Sequence, residues 1–207
     1  PLALIGISIG TVILPYLASL NIRNQKDKII GLLSTTFKIA LSLIIPAAFG
    51  LIFLSEIIVS VIYEYGIFGE YEVKEVSNVL VGFSFGLPAY VLIRIFSSVF
   101  YSMADTKNPL KYSLIAIGIN ITLSVPLFVN FGVVGIAYAT SLSAWVHLII
   151  IFVKLRRLKL ILINMQIFTE IIKIIFSSLM MLLIIKMLID NIYFLYPVIS
   201  LSIFVFV

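Results

Sequence analysis

The chain has 207 residues, of which 62% are hydrophobic and only 11% are charged, and its formal net charge is +5. Soluble domains are roughly 45–50% apolar and about 25% charged, so this composition excludes an ordinary soluble domain. The sequence contains no cysteine, which excludes disulfide frameworks and thiolate metal sites.

The apolar residues fall into seven segments separated by charged or turn-rich breaks. A membrane-spanning helix needs about 20 apolar residues. The pattern therefore predicts an all-α, polytopic transmembrane helical bundle of about seven spans. In chain order the segments are Leu2–Leu20, Thr36–Ile62, Asn78–Met103, Leu110–Val129, Val133–Val153, Ile171–Leu188 and a last one that begins near Tyr193.

The second segment is longer than one bilayer crossing, and Ser55 and Glu56 would lie deep in lipid if it were a single straight helix. We therefore expect a span that ends near Leu54, followed by a short interfacial or re-entrant helix near residues 56–66. The alternative is one tilted helix.

Basic residues alternate strongly between the loops. Eleven lie in the first, third and fifth loop regions, against two in the second and sixth regions. Short cytoplasmic loops are enriched in Lys and Arg. The odd loops are therefore predicted to be cytoplasmic, and the C-terminal end of the chain is expected on the cytoplasmic side.

The chain begins with Pro1 and ends within an apolar run, so we expect it to be a fragment of a longer protein. Residues 1–155 are predicted to form one set of transmembrane helices. Residues 156–207 are predicted to form a linker and two additional C-terminal transmembrane helices, the last of them truncated.

Arg94 is the sharpest functional feature of the sequence. It lies about nine residues, or roughly 13 Å, from the end of its span near Met103. A charge at that depth costs roughly 2.5–3.5 kcal/mol on insertion scales and usually faces a bundle interior or a watery cavity. A guanidinium suits phosphate oxygens, so Arg94 is a candidate contact for an anionic headgroup. The alternative is that Arg94 snorkels towards the interface.

Pro88 lies on the same span as Arg94. Transporters bend and bind at broken helices near the midplane, although proline is also common in membrane helices that have no such role. Gly82 and Gly86 form a GxxxG pair, which favours close helix packing and indicates no particular function.

Asn120 and Ser124 are one helical turn apart. If the fifth span packs against the fourth, Thr140 joins them, and the three side chains make a candidate site for weakly bound Na⁺. Ordinary interhelical hydrogen bonding explains the same residues. His147 is the only histidine, and a lone histidine on an apolar stretch is typical of a hydrogen-bonded packing residue.

No catalytic constellation is present: the sequence contains no HExxH, GxSxG or phosphate-loop motif. We therefore expect a protein that is not an enzyme, has no cofactor except Na⁺ as a candidate coupling ion, and has no nucleic-acid partner.

Four stretches resemble segments of MurJ/MviN-type lipid II flippases of the MATE-like exporter superfamily, and they occur in the order found in that family. They are GISIGTVILPYLAS (Gly6–Ser19), VIYEYGIFGEYE (Val61–Glu72), SVFYSMADTKNPLK (Ser98–Lys111) and GVVGIAYATSLSAW (Gly132–Trp145). The resemblance implies the second half of a fourteen-span exporter, located in the bacterial inner membrane.

By the same resemblance, several positions match family motifs. Arg94 matches a position that is often basic, and Asn120 and Thr140 match positions that line a cation site. Ser124 stands where a carboxylate would strengthen that site, which counts against sodium binding. The remaining matched motif positions are Glu64 and Gly66 in the re-entrant segment and Asp105, Thr106, Lys107 and Pro109 in a cytoplasmic loop.

The leading hypothesis is transport of a lipid-linked undecaprenyl-pyrophosphate precursor of peptidoglycan (lipid II) by alternating access, with the phospholipid bilayer as the other partner. The alternatives are a related polysaccharide-lipid flippase and a multidrug/Na⁺ antiporter of the same superfamily. A membrane scaffold or a membrane-embedded enzyme fits the residues less well. The sequence does not indicate an oligomeric state.

Overall fold

The computed structural model describes residues 6–66, 68–160 and 165–205, which form six helices and no strand. Within the described residues, four helices are long and apolar enough to cross a membrane. The helices are α1 (Ser8–Ile22), α2 (Lys26–Phe53), α3 (Ser55–Tyr63), α4 (Glu70–Ser102), α5 (Lys107–Arg157) and α6 (Met165–Val205). The predicted all-α transmembrane bundle is confirmed.

The break between α2 and α3 falls at Leu54, where the sequence predicts the second segment to divide. The interfacial or re-entrant placement of α3 stays a prediction. α2 begins at Lys26, ten residues before the predicted start at Thr36. Hydropathy places the start of the apolar core, whereas the helix continues through the charged turn because no residue there breaks it.

α5 consists of two helical arms that meet at Gly132, whose backbone (φ 60°, ψ −144°) is not helical. Glycine adopts this conformation without the steric cost that a side chain would add. Asn120 donates a hydrogen bond to Ser143 at 3.3 Å, so the first arm (107–131) folds back against the second arm (133–157). The predicted fourth and fifth spans therefore form an antiparallel hairpin.

The predicted division of the last region into a sixth and a seventh span stays a prediction. α6 runs without a break from Met165 to Val205, and the structure shows no turn near residues 189–192. Asp190 and Asn191 are polar, but neither residue breaks a helix as proline does. A helix of 41 residues is about 60 Å long, which is twice the hydrocarbon thickness of a bilayer.

α4 is the central helix and packs against α1, α2, α3 and α5. Its six consecutive residues Ile95–Phe100 are all buried. A helix buries every side chain of a run only when neighbours surround it. The rings of Phe37 and Phe152, from α2 and α5, both lie 6.2 Å from that of Phe96.

Small residues bring α4 and the second arm of α5 together. The hydroxyl of Ser141 donates a 2.6 Å hydrogen bond to the carbonyl oxygen of Gly82. A Cβ on Gly86 would lie 2.6 Å from Ser141 Oγ, and one on Gly82 would lie 2.8 Å from the Cβ of Ala137. The GxxxG pair is therefore a helix-packing surface, as the sequence indicates.

Candidate functional site

Arg94 lies on the one side of α4 that neighbouring helices leave open. Its side chain is exposed, although the next six residues along the helix are buried. It is eight residues from the end of α4 at Ser102, which is about 12 Å along the axis. Arg94 borders two cavities, one on each side of its side chain.

The larger cavity lies between α1, α4 and the first arm of α5 and has a volume of about 730 Å³. α1 approaches α4 closely there, because a Cβ on Gly10 would lie only 3.8 Å from the carbonyl oxygen of Arg94. Three predicted motif residues, Thr106, Lys107 and Pro109, line this cavity together with Arg94. The structure thus brings part of the loop motif to the predicted headgroup contact.

The smaller cavity lies between α4 and the two arms of α5 and has a volume of about 300 Å³. Among the described residues, Arg94 is the only one with a fixed charge that lines it, and no carboxylate lines either cavity. The polar and titratable side chains that line the smaller cavity are Tyr90, Arg94, Ser113, Asn120, Thr140, Ser143 and His147.

Asn120, Ser124 and Thr140 belong to one hydrogen-bonded network across the α5 hairpin. The Ser124 hydroxyl donates to Asn120 Oδ1 at 2.8 Å, and Asn120 Nδ2 donates to Ser143 Oγ. The Thr140 hydroxyl donates to the carbonyl oxygen of Ile136 at 2.8 Å. One hydrogen bond across the hairpin and two within its arms thus occupy these side chains, and sodium binding stays a prediction. No group of three or more acidic, histidine or cysteine residues is placed to hold a metal ion in the part of the chain that the structure describes.

His147 differs from the hydrogen-bonded packing residue that the sequence predicts. Its Nε2 is buried and has no hydrogen-bond partner among the described residues, and the side chain lines both cavities beside Arg94. The helical spacing of Thr140, Ser143 and His147 was the available signal, because steps of three and four residues place them on one face. Sequence reasoning missed this polar face by treating the histidine alone.

Pro88 lines a third cavity of about 640 Å³, which lies between α2, α4, the second arm of α5 and α6. Apart from Ser84, the side chains around it are apolar, and they include Leu41, Phe96 and Ile171. Pro88 faces this apolar space and does not line either of the cavities that contain Arg94. A role for Pro88 in gating stays a prediction.

Glu64 and Gly66 follow α3 and line neither of the cavities that contain Arg94. The Glu64 carboxylate accepts a hydrogen bond from the Ser60 hydroxyl within the last turn of α3. Gly66 has a positive φ of 66°, a conformation that favours glycine. Both residues therefore shape the turn between α3 and α4.

Asp105 does not line the larger cavity. It fixes the start of α5, and residues at that start line the cavity. Its carboxylate accepts a hydrogen bond from the backbone N–H of Asn108 at 3.1 Å and a second from the Asn108 side chain. The first of these bonds satisfies one of the backbone donors that a helix N-terminus leaves free. The Asn108 side chain and then its backbone N–H hold the pKa of Asp105 below its usual value.

Replacing Asp105 with alanine is expected to lower the free energy of unfolding of the full polypeptide by about 1 kcal/mol at neutral pH. Because the folded-state pKa is depressed, the contribution of the carboxylate is complete above its unfolded pKa of about 4 and is lost as pH falls below that value. Thermal unfolding at about pH 7 and about pH 3 measures the difference. Thr106→Ala is the control, because the Thr106 side chain makes no capping hydrogen bond. An equal difference at both pH values would contradict the prediction.

Comparison with known proteins confirms the resemblance seen in the sequence motifs. The family model described as lipid II flippase MurJ matches residues 1–206. The probable lipid II flippase MurJ of Rickettsia prowazekii is 36% identical over 148 residues, which cover 72% of this chain and 29% of that protein. The corresponding protein of Rhizobium tropici is 36% identical over 157 residues, which cover 76% of this chain and 30% of that protein.

The fold agrees with a solved structure of lipid II flippase MurJ in its inward closed conformation. The two share 28% sequence identity with a TM-score of 0.76, over 90% of this chain and 38% of that one. The chain spans about 30% of the length of these curated relatives. Its apolar helices and its relatives identify a multi-pass membrane protein. This chain belongs to the lipid II flippase MurJ family.

Proposed function

We propose that the protein carrying this chain moves a lipid-linked pyrophosphate precursor of peptidoglycan across the bacterial inner membrane by alternating access, without changing it covalently. The observation that carries this proposal is an exposed arginine deep in a transmembrane helix, lining two cavities that contain no carboxylate. A charge at that depth is costly unless it serves a polar ligand or pathway. Relatives named lipid II flippases support the same ligand class.

The charge of the larger cavity suits a pyrophosphate headgroup. Arg94 and Lys107 both line it, and together they supply two positive charges to a diester that carries two negative ones. The arginine fork binds phosphate oxygens bidentately, whereas the lysine acts as a point charge. The hydroxyl groups of Thr11 from α1 and Ser113 from α5 line the same cavity. The headgroup would therefore bind between α1, α4 and α5.

The apolar cavity near Pro88 suits an aliphatic chain. Residues from α2, α4, α5 and α6 line it, and these side chains present almost no polar atoms. Moving an isoprenoid tail out of water is favourable by about 25 cal/mol for each Å² of apolar surface buried. Moving the tail from lipid into an apolar cavity changes its free energy little. The tail would therefore stay in the bilayer or in this cavity while the headgroup crosses.

The distribution of basic residues supports an orientation. The α1–α2 and α4–α5 connections, the first five residues of the helices that follow them and the end of α5 with Lys159 carry nine of the fourteen lysines and arginines. These connections lie at one end of the bundle, since Asn21 of α1 donates a 2.6 Å hydrogen bond to Ser102 of α4. By the positive-inside tendency, this end would face the cytoplasm. The larger cavity, bordered by Lys107, would then open towards the side on which the precursor is made.

The test is reconstitution of the full polypeptide into vesicles that contain a labelled polyprenyl-pyrophosphoryl sugar. We expect a membrane-impermeant reagent to reach the lipid headgroup at least about tenfold faster than in protein-free vesicles. A polyprenyl monophosphate and a fluorescent phospholipid serve as control lipids. Replacing Na⁺ with choline in the same assay tests sodium as the coupling ion.

Equal movement of all three lipids would contradict the proposal, because it would indicate nonspecific scrambling. A preference for long polysaccharide-linked lipids would favour the related polysaccharide-lipid flippases, and export of organic cations would favour the multidrug antiporters. No lipid movement in a folded, monodisperse preparation would favour a scaffold.

A further inference from the structure

Among the described residues, His147 is the one titratable group that lines both cavities and is not used by the proposed headgroup contacts. It lies on the second arm of α5, and its Nε2 is buried without a hydrogen-bond partner among the described residues. A buried polar atom without a partner is costly, and most such atoms in proteins are satisfied. The side chain lines both cavities together with Arg94 and Ser113. An orphaned nitrogen at this place indicates that a bound molecule supplies the missing partner.

The charged and titratable groups around His147 are basic or neutral. α4 contributes Arg94, Tyr90 and Tyr101, and the first arm of α5 contributes Lys107 at the far end of the larger cavity. α1 contributes only neutral residues, and no aspartate or glutamate lines either cavity. A proton on His147 would therefore meet like charges when the cavities hold only water. An anion would remove that repulsion.

We propose that Arg94 and His147 form one binding site for a pyrophosphate diester, and that His147 binds a proton from the aqueous cavity when the anion binds. This inference rests on the proposed function, because it takes the headgroup as the ligand. With a proton on Nε2, the imidazolium donates a hydrogen bond to a phosphate oxygen, and both ring nitrogens are donors. Arg94 contributes the paired guanidinium N–H groups.

Anion and proton binding are then linked. If the anion favours protonated His147, the proton favours the bound anion by the same factor. Histidine is the side chain whose charge changes most readily near physiological pH, and a bound anion favours its charged form. Binding of the headgroup and binding of the proton would then strengthen each other without any acidic residue in the cavity.

The experiment measures equilibrium binding of a short-chain prenyl-pyrophosphoryl sugar to the purified full polypeptide between about pH 5.5 and pH 8. A phosphate monoester titrates near pH 6, whereas both phosphates of a diester stay ionised over this range, so a pH effect reports the protein. We expect the affinity to rise about tenfold from pH 8 to pH 5.5, and about 0.5–1 proton to be taken up per bound probe near pH 6.5.

His147→Gln is expected to bind with an affinity that does not change with pH. Arg94→Lys should bind more weakly than wild type but keep the pH slope. Thr122→Val is the control, because Thr122 is exposed on α5 and bonds only to carbonyl groups of its own helix. A parallel measurement uses a soluble nucleoside diphosphate sugar, which separates recognition of the pyrophosphate itself from recognition that needs the lipid tail. An affinity that rises as pH falls, with either probe, supports the site.

The inference would be overturned if the affinity of His147→Gln changed with pH as much as that of wild type. It would also be overturned if wild type bound the probe with a pH-independent affinity and took up no proton. If lipid transport is intact in that case, the proposed function stands without it. If wild type neither binds the prenyl probe nor moves the lipid, both fail. If His147→Gln does not fold, proton uptake on binding by wild type tests the inference, because that measurement needs no variant.

Discussion

Arg94→Ala is expected to reduce lipid transport by the full polypeptide at least about a hundredfold and to prevent complementation of a flippase-depleted strain. The substitution removes the only fixed charge of the smaller cavity and one of the two in the larger cavity. Losing a charge-assisted, bidentate contact to a phosphate costs about 3 kcal/mol or more, which corresponds to at least a hundredfold loss. The reconstituted vesicle assay measures the loss directly.

Two further variants separate a ligand role from a structural one. Lys186→Gln removes a positive charge from an exposed position on α6 that lines none of these cavities, and it should transport normally. Arg94→Lys keeps the charge but loses the planar fork, so intermediate activity is expected. Full transport by Arg94→Ala would remove Arg94 from the site and favour the snorkelling alternative.

Gly135→Ala is expected to lower the free energy of unfolding by about 3 kcal/mol or more, a larger effect than is usual for adding one methyl group. A Cβ on Gly135 would overlap the backbone carbonyl of Leu127, which lies on the opposite arm of the α5 hairpin. Backbone atoms do not rotate away as a flexible side chain does. The two arms would therefore have to separate next to the turn at Gly132.

Gly118→Ala is the matched control on the same helix, because no atom lies within 4 Å of a Cβ built there. Alanine favours a helix over glycine by up to about 1 kcal/mol, so this variant should unfold at the same temperature as wild type or slightly higher. Thermal unfolding of both variants in one detergent measures the contrast. Equal stability of Gly135→Ala and wild type would show that the hairpin is less tightly closed than the structure indicates.

The positions of the membrane helices could be predicted largely from hydropathy and turn residues. The break at Leu54 and the hairpin turn at Gly132 both fall where the sequence changes from apolar to turn-forming residues. Helix ends could not be predicted as well, because capping extends a helix beyond its apolar core. α4 begins at Glu70 instead of Asn78, and the Glu72 carboxylate accepts a 2.9 Å hydrogen bond from the N–H of Gly69 at its start.

The candidate site was predictable only in part. The depth of Arg94 in its span follows from counting residues along the helix, and its exposure in the structure agrees with a side chain that faces a cavity. Which residues meet it depends on the pairing of α4 with α1 and with both arms of α5. Asn120, Thr140 and His147 converge only after the hairpin has closed. Single-residue reasoning about His147 therefore pointed to packing, whereas the three-dimensional arrangement leaves its Nε2 without a partner.

The two cavities on either side of Arg94 share one guanidinium, and this sets when the smaller one can hold an anion. The larger cavity has Lys107 in addition, but the smaller one has no other fixed positive charge. An anion that leaves bulk water needs a counter-charge to offset its lost hydration. When Arg94 turns towards a phosphate in the larger cavity, the smaller cavity loses its fixed counter-charge, whereas the larger one keeps Lys107 when Arg94 turns away. The smaller cavity would therefore hold an anion only while the guanidinium points into it.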